Sequence, residues 1–276
     1  MPKRLAVLGQ PISHSRSPAM HSAALAELGL AEEWTYEAIE VAPDEFAERA
    51  RSMAGDGFVG ANVTVPHKLA ALAIADEASR AARAIGAANI LSFRGDGIAA
   101  ENTDATGFLD ALQQRPGGKR ALVMGAGGSA RAVVWALVSH GAEVAIWNRT
   151  PERARVLAAE FGAEVTDAGS DDVDYEVVVN ATTVGMGASS GEPAELQSLP
   201  LDADALGGNH VVVDLAYGAN ETELAHVARA RGARVVDGLE VLVRQGAASL
   251  RIWTGLDPPV ETMRRAARGR LDSGSD

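Results

Sequence analysis

The sequence predicts an α/β protein of two domains, each a sheet flanked by helices. Three observations carry that reading. Short apolar runs alternate with amphipathic, alanine-rich segments along all 276 residues. The length suits two ordinary domains of roughly 100–150 residues each. Breakers at Gln114-Arg115-Pro116-Gly117-Gly118 and at Asp237-Gly238 interrupt the alternation.

The expected strands are residues 5–8, 34–39, 60–65, 88–93, 120–124, 143–147, 177–180, 211–215 and 234–236. Helices are expected at 18–28, 43–53, 67–73, 78–85, 105–113, 129–139, 151–160, 221–229, 241–253 and 259–268. Strands and helices that alternate at these lengths imply parallel sheets. Ala132, Trp135, Ala136 and Ser139 recur at helical spacing, a small-residue face suited to packing on a sheet. The domains expected are 1–104, 105–237 and a C-terminal helical segment, 238–276, that returns to the first. Residues 269–276 are small and polar, and read as a frayed tail.

Hydrophobic residues make up 47% and charged residues 22%, a globular balance. The net charge of −12 opposes nonspecific contact with nucleic acid or an anionic membrane. Any anionic ligand must then be held by local cations. The absence of cysteine excludes disulfides, thiolate metal sites and cysteine nucleophiles. The six histidines show no metal-ligand spacing, so no metal is expected. No apolar run reaches the ~18 residues of a membrane span, and the N-terminus lacks a signal-peptide pattern. The default compartment is the cytoplasm.

The central domain opens Ala121-Leu122-Val123-Met124-Gly125-Ala126-Gly127-Gly128-Ser129-Ala130. A strand, the pattern G-x-G-x-x-A and a helix follow one another, as in a Rossmann-type dinucleotide site. The first glycine permits the tight turn, and the second lets backbone approach a pyrophosphate. The small Ala130 lets helix close on strand. The helix N-terminus adds free N–H groups and a positive dipole end. Such a loop alone is a weak signal; its context strengthens it. About 20 residues on, an NAD site would place a carboxylate against the ribose. This chain has Asn148-Arg149-Thr150-Pro151-Glu152-Arg153 there. Arg149 and Arg153 would attract the 2′-phosphate of NADP, and the bland alternative is two surface arginines.

Polar residues recur at expected strand ends in the first domain, where open sheets bind ligands. They lie in Gly9-Gln10-Pro11-Ile12-Ser13-His14-Ser15-Arg16-Ser17-Pro18, in Asn62-Val63-Thr64-Val65-Pro66-His67-Lys68, and in Ala88-Asn89 followed after a hairpin by Asn102-Thr103-Asp104. Ser15 and Ser17, two apart on extended backbone, would face one way and could hold a carboxylate. Singly, each reads as structural: Ser17-Pro18 is an ordinary helix start. Their joint occurrence is what points to a polyhydroxylated acid.

Taken together, the segments resemble the shikimate dehydrogenase family over nearly the whole chain. The likeness extends through Asn148-Arg149-Thr150, Asn180-Ala181-Thr182, Asp214-Leu215-Ala216-Tyr217 and Gly238-Leu239-Glu240-Val241-Leu242-Val243-Arg244-Gln245. It implies an N-terminal substrate domain, a Rossmann-type NADP domain, and C-terminal helices packed on the first. The implied reaction is NADPH-dependent reduction of 3-dehydroshikimate to shikimate in aromatic amino-acid (chorismate) biosynthesis. On the resemblance, Ser15 and Ser17 bind the substrate carboxylate, with Tyr217 near it. Thr64, Asn89, Asp104 and Gln245 contact hydroxyls, Asn62 lines the pocket, and Lys68 and Asp104 are the catalytic pair. Gly125, Ala126, Gly127, Gly128, Ser129, Ala130, Asn148, Arg149, Thr150 and Arg153 hold the cofactor, with Gly238 against the nicotinamide. Gly218-Ala219, Thr222-Glu223 and Val241 depart from the family's usual Asn-Pro, Thr-Pro and Met.

In this reading the Lys68 ammonium protonates the forming alkoxide and Asp104 orients it. The sequence leaves open which of the two carries the proton. An NAD-dependent quinate/shikimate dehydrogenase would favour an acid where Arg149 stands. A non-catalytic ligand-sensing relative would tolerate loss of Lys68 or Asp104. A folate-type dehydrogenase would leave Ser15 and Ser17 unexplained. The partners expected are small molecules, neither nucleic acid nor membrane, with a homodimer the one assembly considered.

Overall fold

The computed structural model describes residues 2–95, 97–167, 175–186, 196–218 and 220–269. It contains two compact units, Met1–Gly107 with Leu242–Asp276, and Phe108–Val241. The divisions fall inside two helices, not at the glycine and proline breakers. Ala219 and residues 270–276 of the expected tail lie outside the described residues. Among the described residues no helix is long and apolar enough to cross a membrane.

In the first unit β1 (Lys3–Gly9), α1 (Ser17–Glu27), β2 (Trp34–Glu40), α2 (Phe46–Ser52) and β3 (Phe58–Val63) form two parallel crossovers. Then follow α3 (Lys68–Ala73), β4 (Glu77–Ala78), α4 (Arg80–Ile85), β5 (Ile90–Arg94) and β6 (Gly97–Glu101). The sheet order is β2-β1-β3-β5-β6-β4. The sheet is mixed, not wholly parallel as the alternation implied: β5 runs antiparallel to both β3 and β6. The link from Arg94 to Gly97 is far too short for a parallel crossover of about a dozen residues, so a hairpin is forced.

Period-2 alternation gives each face of this sheet its own core. Ala6 and Leu8 join Phe46, Met53, Val63 and Leu91 on one side. Leu5 and Val7 join Met20, Leu25 and Tyr36 on the other. That second cluster is completed by α9 (Gly238–Thr254) and α10 (Val260–Gly269), which bring Val243, Ala247, Leu250, Met263 and Ala267 at helical spacing. Each fully buried Leu or Met there contributes roughly 1.5–3 kcal/mol. The helix α9 starts three residues before the expected 241. Asp237 explains it: its Oδ1 accepts the Glu240 N–H at 2.9 Å, so Asp237-Gly238 is a helix start and not a linker. Gly269, expected in the tail, ends α10.

The second unit takes up α5 (Asp104–Leu112) after Gly107 and adds β7 (Arg120–Met124), α6 (Gly128–Ser139), β8 (Glu143–Trp147), α7 (Pro151–Phe161) and β9 (Glu164–Val165). It ends with β10 (Val177–Asn180), β11 (Val211–Asp214), α8 (Glu223–Ala230) and β12 (Arg234–Asp237). All pairings are parallel, in the order β12-β11-β10-β7-β8-β9. Read from the far edge this is the doubly wound order of a Rossmann-type sheet. Val177–Val179 and Val211–Val213 are buried throughout, as strands covered on both faces must be. The buried face of α6 is Ala132, Val133, Val134, Ala136 and Leu137; Trp135 is only half-buried and Ser139 is exposed. Ala132 and Ala136 of the expected stripe are thus buried, joined by the valines, while Trp135 and Ser139 are not.

Helix α5 meets α9 at Gly107. A Cβ there would lie 2.6 Å from the Gln245 backbone nitrogen and 2.9 Å from its Cα. Gly→Ala inside a helix gains about 1 kcal/mol of propensity. Overpacking against backbone costs roughly 1–3 kcal/mol and cannot be relieved by a rotamer change. Gly107→Ala should therefore lower the thermal midpoint by a few degrees. A midpoint at or above that of the parent contradicts this packing.

Candidate active site

Polar side chains collect along one edge of the first sheet because four strand termini meet there. β1 leads to Ser15 and Ser17, and β3 to Thr64 and Lys68. β6 pairs antiparallel with β5, so its exit toward Asp104 lies beside the start of β5, where Asn89 sits. Asn89 thus reaches the edge as the residue before an antiparallel strand, not at a strand's end.

The centre of the cluster is an ion pair. Lys68 Nζ donates to Asp104 Oδ2 at 2.7 Å, with the side chains only 11% and 14% exposed. Asp104 opens α5, and the side-chain Oδ1 of Asn102 accepts its backbone N–H at 3.0 Å. Asn102 is itself anchored, donating to the Ala87 carbonyl at 2.9 Å. Asn89 is oriented by the Thr103 N–H, which donates to its Oδ1 at 2.7 Å. Its Nδ2 then lies 3.0 Å from each of Thr103 Oγ1, Asp104 Oδ1 and Gln245 Oε1. An amide nitrogen carries two hydrogens for these three oxygens, and the Thr103 hydroxyl, itself a donor to the Gln245 carbonyl at 3.1 Å, is the one that can do without. Gln245 is held by its Nε2, which donates to the Leu242 carbonyl at 2.8 Å. Lys68, Asp104, Asn89 and Gln245 therefore form one connected group.

The other expected residues stand differently. Ser15 and Ser17 are buried and linked, but not by extended backbone. Arg16 lies in the right-handed helical region, and Ser15 Oγ accepts the Ser17 N–H at 3.3 Å. Asn62 is buried inside β3 and spends its amide on protein: it accepts the Tyr36 hydroxyl at 2.7 Å and donates to Ser249 Oγ at 2.9 Å. Thr64 is half-buried just past the strand, its backbone N–H on the Leu8 carbonyl at 2.9 Å.

Sequence reasoning missed Tyr36 and Ser249. Ser249 lies one turn after Gln245 and donates to its carbonyl at 2.9 Å, a spacing that was available; Tyr36 gave no local signal. Beyond Tyr36, His21 stacks on its ring at 4.2 Å, fully buried, both ring nitrogens unpartnered. Burial pushes the imidazole down to about 3, so it stays neutral.

On the second unit the glycine loop fits a dinucleotide. Gly125 has φ +121°, and a Cβ there would meet the Ala181 carbonyl oxygen at 2.7 Å. A Cβ on Gly127 would meet nothing within 4 Å, so the backbone there is open to approach. No side chain caps the start of α6, and Ala130 is buried against the sheet. Arg149 and Arg153 are exposed and pair with nothing among the described residues. Asn148 donates to the Thr150 carbonyl at 2.9 Å, shaping the turn that carries Arg149.

Tyr217 follows β11, half-buried. A side chain on Gly238 would strike the Leu215 and Ala216 carbonyl oxygens, at 2.6 and 2.8 Å, so close backbone contact requires the glycine. Asp214, at the end of β11, is buried. Burial pushes its carboxyl up to about 6, while hydrogen bonds from Thr222, Ala216 and Asn180 pull the other way. Among the described residues no group of three His, Cys, Asp or Glu could hold a metal.

Comparison with known proteins converges on one family. Residues 7–91 match the shikimate dehydrogenase substrate binding domain, 110–217 the shikimate / quinate 5-dehydrogenase domain, and 238–268 the shikimate 5′-dehydrogenase C-terminal domain. A shikimate dehydrogenase (NADP(+)) of Methanocella arvoryzae is 43% identical, over 96% of this chain and 98% of its own. The crystal structure of shikimate dehydrogenase from Aquifex aeolicus superposes with TM-score 0.88 at 35% identity, covering 97% of this chain and 98% of that one. The Thermus thermophilus enzyme, in complex with NADP(H) and shikimate, gives 0.85 at 41% identity, covering 98% and 99%.

The carboxyl of Asp214 carries a consequence for stability. Its value rises from 3.8 unfolded to about 6 folded, so the folded chain binds this proton more tightly. Its contribution to stability is therefore fullest below about pH 4 and is lost as pH rises to about 6, by at most about 3 kcal/mol. Denaturant unfolding of the parent and of Asp214→Asn from pH 4 to 8 checks this. The difference should move in favour of the Asn variant with rising pH; a constant difference refutes it.

Proposed function

The chain belongs to the shikimate dehydrogenase family, and from that premise we propose that it reduces 3-dehydroshikimate to shikimate with NADPH, reversibly. The observation that carries the reading is the buried Lys68–Asp104 pair, joined through Asn89 to Gln245. When bound, the reduced dinucleotide supplies a hydride to the ketone carbon. Lys68, as an ammonium, donates a proton to the oxygen that becomes negative and stabilises its charge meanwhile. Asp104 holds Nζ through Oδ2 and offers Oδ1 to a substrate hydroxyl. Asn89, Gln245 and Thr64 orient the remaining hydroxyls, and Ser15 and Ser17 hold the carboxylate. Asn62 shapes this lining through its bonds to Tyr36 and Ser249.

Gly125 to Ala130 receive the pyrophosphate, and Asn148, Arg149, Thr150 and Arg153 the 2′-phosphate. Gly238 lies against the nicotinamide, and Tyr217 is a substrate contact by family likeness. Arg149 and Arg153, with Asn148 rather than a carboxylate directly after β8 and Glu152 already paired with Arg155, favour NADP over NAD.

Lys68→Ala should cut turnover by roughly 10²–10⁴ with a smaller change in shikimate affinity. Steady-state kinetics of shikimate oxidation check it; undiminished turnover removes Lys68 from the chemistry. Arg149→Asp should move cofactor preference toward NAD, by roughly tenfold or more in the ratio of kcat/KM values. An unchanged ratio means that the 2′-phosphate is held elsewhere.

A further inference from the structure

The second unit buries a carboxylate that the reaction as described does not use. Asp214 is the last residue of β11 and 1% exposed. Its Oδ1 accepts the Asn180 amide at 2.8 Å and the Ala216 backbone N–H at 3.1 Å. Its Oδ2 accepts the Thr222 hydroxyl at 2.5 Å. Each partner governs a different segment. Asn180 ends β10, and its own Oδ1 accepts both the N–H and the hydroxyl of Thr182, at 3.1 and 2.7 Å. Thr222 starts α8, accepting the Ala225 N–H at 3.2 Å. Ala216 immediately precedes Tyr217.

A small crevice of about 10 Å³, room for about one water, lies beside these groups, lined by Asn180, Gly185, Asp214 and Thr222 among others. The charged groups facing Asp214 are Asp237, its register partner on β12, and Glu223 on the first turn of α8. β10 contributes none, and among the described residues no cation pairs with it. Dinucleotides bind beyond the carboxyl ends of such strands, and β10, β11 and β12 end side by side.

We propose that Asp214 is a positioning residue for the reaction: its carboxylate ties the exit of β10 to the exit of β11 and the start of α8. It thereby holds Thr182 and Tyr217 in place for the nicotinamide half of the dinucleotide. The inference rests on the dinucleotide assignment above. Ionised, the carboxylate is purely an acceptor and serves all three donors. Once protonated it must itself donate, and the Thr222 hydroxyl has to turn away. Burial brings that change to about pH 6.

The test is NADP⁺ binding to the full chain, by fluorescence titration from pH 5 to 8, for the parent, Asp214→Asn, Thr222→Val and Thr222→Ser. The ratio of dissociation constants, variant over parent, cancels the titration of the 2′-phosphate itself. Asp214→Asn should weaken binding roughly tenfold at pH 8, with the ratio falling toward one by pH 5. Thr222→Val should lose part of the affinity, and Thr222→Ser, which keeps the donor, should retain it. A ratio near one at pH 8, or one flat across the range, overturns the proposal even if the melting temperature shifts. Should Asp214→Asn fail to fold, equal affinities of the two Thr222 variants overturn it. A parent that binds no NADP⁺ defeats the cofactor assignment and this proposal together; parent binding with a flat ratio defeats this proposal alone.

Discussion

An ammonium and a carboxylate removed from water each cost several kcal/mol, and only mutual contact with further hydrogen bonds offsets that. Lys68 and Asp104 are such a pair, and the topology of the first unit exists around their meeting. They are 36 residues apart. The hairpin of β5 and β6 returns the chain to the edge where β3 delivered Lys68, so that α5 can open with Asp104 beside it. Asn102 fixes the start of α5, Asn89 spans to the carboxylate, and α9 lowers Gln245 onto the same amide. The closeness of α5 and α9 is set by a residue with no side chain, Gly107. A buried ion pair is poor evidence for stability, since an apolar pair of the same volume often does as well. Its retention with so much support is therefore an argument about chemistry.

The second unit faces the same electrostatic difficulty with a different answer. Among the described residues no cation pairs with Asp214, and three dipoles stand in for one. They compensate incompletely, which is why its proton affinity rises while that of an ordinary hydrogen-bonded carboxylate falls. Both units thus put their costliest buried charge at strand exits, where a sheet has turned from ladder to loop and backbone groups need partners. Strand exits are also where ligands bind, and the two facts have one cause: unpaired polar groups accumulate there.

The glycine loop was the most legible feature. Its requirements are local: a positive φ at Gly125, an open backbone at Gly127 and a small residue at Ala130 can each be read from residue type and order. The arginines after β8 were readable as cations at a set sequence distance from that loop, and their hold on a 2′-phosphate belongs to the proposal. The substrate-side cluster was legible as a list and illegible as geometry. Ser15 and Ser17 belong together, but through a helix start and a side-chain bond that an extended-strand argument did not anticipate. The direction of β5 was hidden because alternation alone does not say which neighbour a strand chooses. Tyr36 and Ser249 were invisible in role, since their partner Asn62 lies 26 and 187 residues away. The local demands of the glycine loop were kept, the local backbone reading of Ser15 and Ser17 was not, and what depends on pairing across the sheet had to be seen.

The amide of Asn89 offers its two hydrogens to acceptors on Asp104 and Gln245, with the Thr103 hydroxyl beside them. An oxygen short of a donor repels lone pairs and welcomes an O–H. If these residues hold the substrate as proposed, the group would favour a hydroxyl that donates over one that only accepts. A ligand of the same outline with fluorine or methoxy in place of hydroxyl presents only lone pairs to a place already crowded with them. On that assignment such mimics would meet lone-pair repulsion, and an inhibitor would keep its hydroxyl hydrogens.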